Sequence, residues 1–194
     1  MATNLTFLLS PASTAGRRAQ LLFNERAEFD LARQLRTKRG APLGDVFSFL
    51  SGLYFRGKLA YARAFAPKRS IFVITSNRGL QSPDLRITID DLRTFASIPI
   101  DAANATYREP LLRHARVLQG KVVLLGSVAS GKYVDVLLDV FDENLLFPAE
   151  FVGRGDMSRG GLLLRCVDDK RELTYVPVRG ATRHGKRPPK LEKR

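Results

Sequence analysis

Three short apolar runs punctuate the chain, at 5–9, 71–75 and 122–125. Each holds four or five apolar or β-branched residues without a charge, which predicts strands buried on both faces. Between them the apolar positions switch to helical spacing. Leu21, Leu22, Phe29, Leu31 and Leu35 mark one face over 17–36, closed by the basic, glycine-ended stretch 36–40. Asp45 suits an N-cap for a second helical region, which Ser51-Gly52 and Arg56-Gly57 divide before it stops at Pro67. A short helix near 90–96, a longer one over 106–118 and a third over 132–141 follow. Residues 145–147 fit a short strand, and 162–167 with 173–178 read as a hairpin across the polar 168–171. The alternation predicts an α/β fold: a small, mostly parallel sheet flanked by helices, finished by a C-terminal antiparallel hairpin. It is read as a single domain over 1–178, with a basic disordered tail at 179–194.

In such sheets ligands sit beyond the carboxyl ends of the strands. The segments leaving those ends are 10–16, 75–80 and 126–132, all rich in Ser, Thr, Asn or Gly. If the strands are neighbours, the three segments converge on one anion-binding crevice. Its candidate phosphate or nucleic-acid contacts are Ser10, Ser13 and Arg17 from the first, Asn77 and Arg78 from the second, and Ser127, Ser130, Gly131 and Lys132 from the third. Residues 126–132, GSVASGK, have the spacing of a phosphate-binding P-loop. The next residue is Tyr133, where such loops place the Ser or Thr that ligates magnesium. The motif therefore predicts a generic anion turn at a helix N-terminus, not a nucleoside triphosphatase.

The segment 153–161, GRGDMSRGG, combines four glycines with Arg154, Ser158 and Arg159, which offer donors to phosphate, and with Asp156, the candidate catalytic base. It is read as a functional loop that can close over the crevice.

Charge sharpens this picture. The net charge is +13, and 179–194 hold seven Lys/Arg against one Glu, so about half of the excess belongs to the body. A basic body with a basic tail points to a polyanionic partner, nucleic acid first, with a nucleotide or phosphate ligand as the small-molecule counterpart. No apolar run reaches the roughly 18 residues of a membrane span, so no membrane partner is expected. The lone Cys166 excludes an intrachain disulfide and fits a cytoplasmic setting; with two distant histidines it offers no zinc site. No metal or cofactor is assigned.

Leu8-Leu9-Ser10-Pro11-Ala12-Ser13 resembles the I-S-P-A-K-T opening of the YaaA-like peroxide-resistance proteins, with Ser13 where that motif has lysine. The stretch from Phe55-Arg56-Gly57-Lys58 to Asn77-Arg78-Gly79-Leu80 and Pro83-Asp84 is similar to a pattern in that family and in related bacterial domains. The resemblance spans residues 5–150 in outline. It implies an α/β fold and a role near DNA, in protection, repair or base modification, and it assigns no catalytic residue. The leading expectation is a nucleic-acid-associated protein with a phosphate-binding crevice. The alternative is an enzyme acting on a nucleotide, nucleoside or sugar phosphate.

Overall fold

The computed structural model describes residues 5–67 and 69–191. Strand β1 (Leu5–Leu9) leads into helices α1 (Arg17–Phe23) and α2 (Asp30–Arg36). Strand β2 (Ala41–Pro42) precedes α3 (Leu43–Ser51) and α4 (Leu53–Phe65). Next come β3 (Ile71–Ile74), β4 (Leu80–Gln81), β5 (Arg86–Ile87), α5 (Ile89–Ser97) and α6 (Ala105–Ala115). The chain finishes with β6 (Lys121–Leu125), α7 (Gly131–Phe141), β7 (Leu145–Pro148), α8 (Asp156–Asp168) and β8 (Tyr175–Pro177). The main sheet has the order β4-β3-β1-β6-β7-β8, with β2 and β5 forming a separate pair. Strands β3, β1, β6 and β7 are parallel; β4 and β8 are antiparallel at the two edges. No helix among the described residues is long and apolar enough to cross a membrane.

Side chains along a strand alternate between faces, and this sheet is covered on both. Phe7 and Leu9 of β1, with Val123 and Leu125 of β6, pack under α1 to α5 and α8. Leu8, with Val122 and Leu124, packs under α6 and α7. Two cores are thus built from one set of strands, which explains why the strands read as unbroken apolar runs rather than as alternating ones.

Several local expectations change. The region 17–36 is two helices, because the chain bends at 24–29, where the Arg36 guanidinium donates to the carbonyl of Ala27 at 2.7 Å and to that of Asn24. The second helical region breaks at Gly52 alone, where φ is +63°, a conformation open to glycine at no steric cost. The antiparallel pair at the C-terminal end is formed by β7 and β8; 162–167, expected as one of its strands, lies in α8.

The segment 153–161 is likewise not a loop from end to end. Asp156 begins α8, and the glycines within that helix let it lie against α4. A Cβ built on Gly160 would stand 2.7 Å from the carbonyl oxygen of Leu53, and one on Gly57 2.7 Å from that of Gly160. The described part of the tail has no helix or strand, but it lies on the body. A Cβ on Gly153 would clash with the carbonyl oxygen of Lys186, and Leu191 packs against the first core. Residues 1–4 of the expected domain and 192–194 of the expected tail fall outside the described residues.

Candidate functional site

The strand order decides where a crevice can form. From β1 the chain moves one way to β3, then crosses back to place β6 on the other side of β1. The loop leaving β1 feeds helices on the first face, and the loop leaving β6 feeds α7 on the second. Two loops that part from adjacent strand ends leave a gap above the sheet, the usual ligand position of such folds. Here the gap is a cavity of about 480 Å³, within the usual range for small-ligand pockets.

One wall is the 10–16 segment, and the opposite wall is Ser127, Lys132 and Tyr133. Their bases are in close contact: a Cβ on Gly126 would lie 2.8 Å from the Ser10 Cβ. A third wall, apolar, comes from Phe95 and the connection that follows α5, with Ile98, Pro99 and Ile100. Tyr54 of α4 and Asp156 of α8 close the remaining side. Gly16, Leu50 and Ser51 also border a second groove, of about 890 Å³, that holds Arg17, Arg18 and Arg56, so crevice and groove are continuous.

Beneath the crevice lies Lys58, 1% exposed. Its Nζ donates to the Ser10 carbonyl at 2.6 Å and lies 2.9 Å from the Ser10 Oγ, and it stands over the rings of Tyr54 and Phe55 at 4.5 and 4.9 Å. No carboxylate forms a salt bridge with it among the described residues. Burial pushes its amine down to about 7; Asp156 works against that shift and the Arg159 guanidinium adds to it. Tyr54 is 6% exposed, and its hydroxyl is buried with no hydrogen-bond partner among the described residues. Burial drives this phenol far above its ordinary range, with Arg159 pulling the other way.

Two helix N-termini face this region. The N-caps of α7 and α8, Ser130 and Gly155, make no side-chain cap bond, whereas Thr88 and Asn104 cap α5 and α6. First-turn N–H groups without a capping side chain favour an anion.

The structure brings together Ser10, Ser13, Ser127, Lys132 and Asp156 of the residues singled out in the sequence. Asp156 is largely exposed, 3.7 Å from Arg159. Arg17 lies in the adjoining groove. Ser130 and Gly131 form the cap and first residue of α7, and neither lines the crevice.

The 75–80 turn does not line it either, and is closed on itself. Thr75 Oγ1 donates to the Gly79 carbonyl at 2.9 Å, Ser76 Oγ to that of Phe95 at 3.0 Å, and Arg78 pairs with Asp91. Asn77 Oδ1 is buried without a partner. Arg154 donates to Ser158 Oγ at 3.1 Å, and both border a groove walled by the tail residues 187–191. Arg159 is buried, and its guanidinium donates to the Phe151 carbonyl at 3.2 and 3.3 Å. Its role is to anchor α8.

Sequence reasoning missed Tyr54 and Lys58. One signal was available: Lys58 falls on the stripe Tyr54, Tyr61, Phe65 at helical spacing, where a solvent-facing lysine does not belong. Among the described residues, no three His, Cys, Asp or Glu side chains are grouped to share a metal ion. Comparisons of the chain with protein-family models, curated proteins and solved structures find no match.

Proposed function

We propose that the protein binds nucleic acid, with one nucleotide unit seated in the crevice between β1 and β6 and the adjoining strand running through the arginine-bearing groove. The carrying observation is the continuity of the two concavities through Gly16, Leu50 and Ser51. The crevice offers Phe95 and Ile98–Ile100 to a base, and Ser13, Ser127 and Lys132 to a phosphate. Arg17, Arg18 and Arg56 continue the phosphate track, as a single strand requires. The net charge of +13 favours the encounter, and the role near DNA implied by the YaaA-like resemblance agrees with it. The single, buried Cys166 supports a cytoplasmic setting.

Fluorescence anisotropy with labelled single-stranded DNA and RNA across a salt series tests this. The reading predicts affinity that falls steeply with salt, and a log–log slope reduced by about 2 on combined Arg17→Glu and Arg56→Glu. Absence of binding, or binding indifferent to salt, overturns it.

The size of the crevice, about 480 Å³, favours a second reading, a mononucleotide or sugar-phosphate enzyme with Asp156 as base. A rise in Tm with mononucleotides but not with oligonucleotides selects it.

A further inference from the structure

A buried lysine without a carboxylate partner is costly, and such groups mark functional sites more often than structural ones. Lys58 itself does not line the crevice, but Ser10 does, and the two are hydrogen-bonded. Any chemistry that Lys58 performs on a ligand must therefore pass through the Ser10 hydroxyl. A serine whose oxygen is held by a lysine amine is a nucleophile–base pair.

We propose that Ser10 is a nucleophile towards phosphate esters, with Lys58 as its base. This deepens the phosphate-binding reading of the crevice and rests on it. In the first step the Ser10 Oγ–P bond forms, the ester P–O bond breaks, the hydroxyl proton moves to the Lys58 amine, and the departing oxygen takes a proton from solvent. In the second step water attacks phosphorus and releases a proton to solvent. The P–Oγ bond breaks, and the Lys58 ammonium returns a proton to Ser10. The net reaction is hydrolysis of one phosphate ester by one water, with every group restored.

The electrostatics suit these roles. An amine brought down to about 7 is free to accept a proton at neutral pH. Asp156 and Arg159 from α8 are the charged groups acting on the amine, in opposite directions. Lys132, in the first turn of α7, stands on the wall facing Ser10, where negative charge on phosphorus would grow.

The experiment treats the full chain with an alkyl fluorophosphonate, which reacts with activated serines, and locates the adduct by peptide mass spectrometry between pH 5 and 9. The expected result is modification of Ser10 at a rate that rises with a midpoint near pH 7. Ser10→Ala should abolish the adduct, and Lys58→Met, with the fold checked by circular dichroism, should slow it by at least about 100-fold. A merely structural Lys58 predicts no such pH midpoint. Failure of the folded wild-type chain to label at Ser10 at any pH overturns the proposal, as does a rate unchanged in Lys58→Met. If Lys58→Met does not fold, the wild-type pH profile decides alone. Oligonucleotide binding measured on the same preparation separates the two readings. Binding without labelling removes the nucleophile and leaves the binding site. Labelling without binding of any nucleotide keeps the activated serine and removes the phosphate-ester substrate.

Discussion

Gly126 and Gly131 bracket a turn between a strand and a helix, whereas Gly57 and Gly160 sit inside two helices that cross. At the turn, the missing Cβ of Gly126 gives the Ser10 side chain its space, and that of Gly131 faces only the carboxylate of Asp135. At the crossing, the missing Cβ atoms let backbone meet backbone, with Leu53, Tyr54 and Gly160 in direct contact. The first region can yield by rotating a side chain. The second cannot yield without separating α4 from α8. The α4–α8 crossing is therefore the rigid part of the site, and it holds Tyr54, Lys58 and Asp156. The glycine turn is the compliant part, and it holds Ser127 and Lys132.

The sharpest way to break this contrast is Gly160→Ala. The new methyl would meet the carbonyl oxygen of Leu53 at 2.7 Å and the Cα of Tyr54 at 2.8 Å. Overpacking against backbone outweighs the gain in helix propensity, and a loss of at least about 2 kcal/mol is expected in chemical denaturation.

Next in size is a pH effect that arises from the same crossing. Unfolded, Lys58 keeps its proton up to about 10.5; folded, it releases it near 7. Between those values the unfolded chain binds more protons, so stability should rise with pH from about 7, by up to about 1.4 kcal/mol per unit. The Cys166 thiol is raised by burial above 9.0, and the buried phenols above 10.0. They contribute stability that is lost as pH climbs, so the clean window is 7 to 9. Urea melts across that window should show the slope in the wild type and not in Lys58→Met. A flat wild-type profile would mean that the amine stays charged in the fold.

The smallest effect is predicted at the turn. Gly131→Ala displaces only an exposed Asp135 carboxylate and should change stability by less than about 0.5 kcal/mol. A loss as large as that of Gly160→Ala would erase the distinction between the two regions.

The sheet was largely legible in the sequence, because β1, β3, β6 and β7 are apolar runs whose burial on both faces leaves no polar interruption. The two-residue strands β2, β4 and β5 were not, since pairs as short as Ala41↔Ile87 are set by tertiary contacts and not by pattern. α8 was misread for a physical reason. Its apolar 162–164 run looks like a strand, and its glycines look like a loop, yet both follow from one helix pressed closely against another. Of the crevice, the β1 and β6 walls were legible from strand-then-turn order. The third wall was not: Thr75 bonds within the 75–80 turn, Ser76 and Arg78 bond to α5, and the connection after α5 takes the turn's place. Lys58 was hidden because a lysine in an alanine-rich helix reads as solvent-facing unless its place on the Tyr54, Tyr61, Phe65 stripe is followed.

β1 occupies the middle of the sheet, with partners that arrive late. Phe7 pairs with Ile71, and Leu5 with Lys121, more than a hundred positions further along. Contacts of such long range slow folding, because a large loop must close before they form. During synthesis an uncharged strand therefore waits with one edge unpaired until β6 has left the ribosome. Ser10 ends that strand and Ser127 follows β6, so the crevice does not mature wall by wall. It closes in one late event, and a chain halted before β6 would carry most of the helices of the protein but lack the Ser127, Lys132 and Tyr133 wall and Asp156.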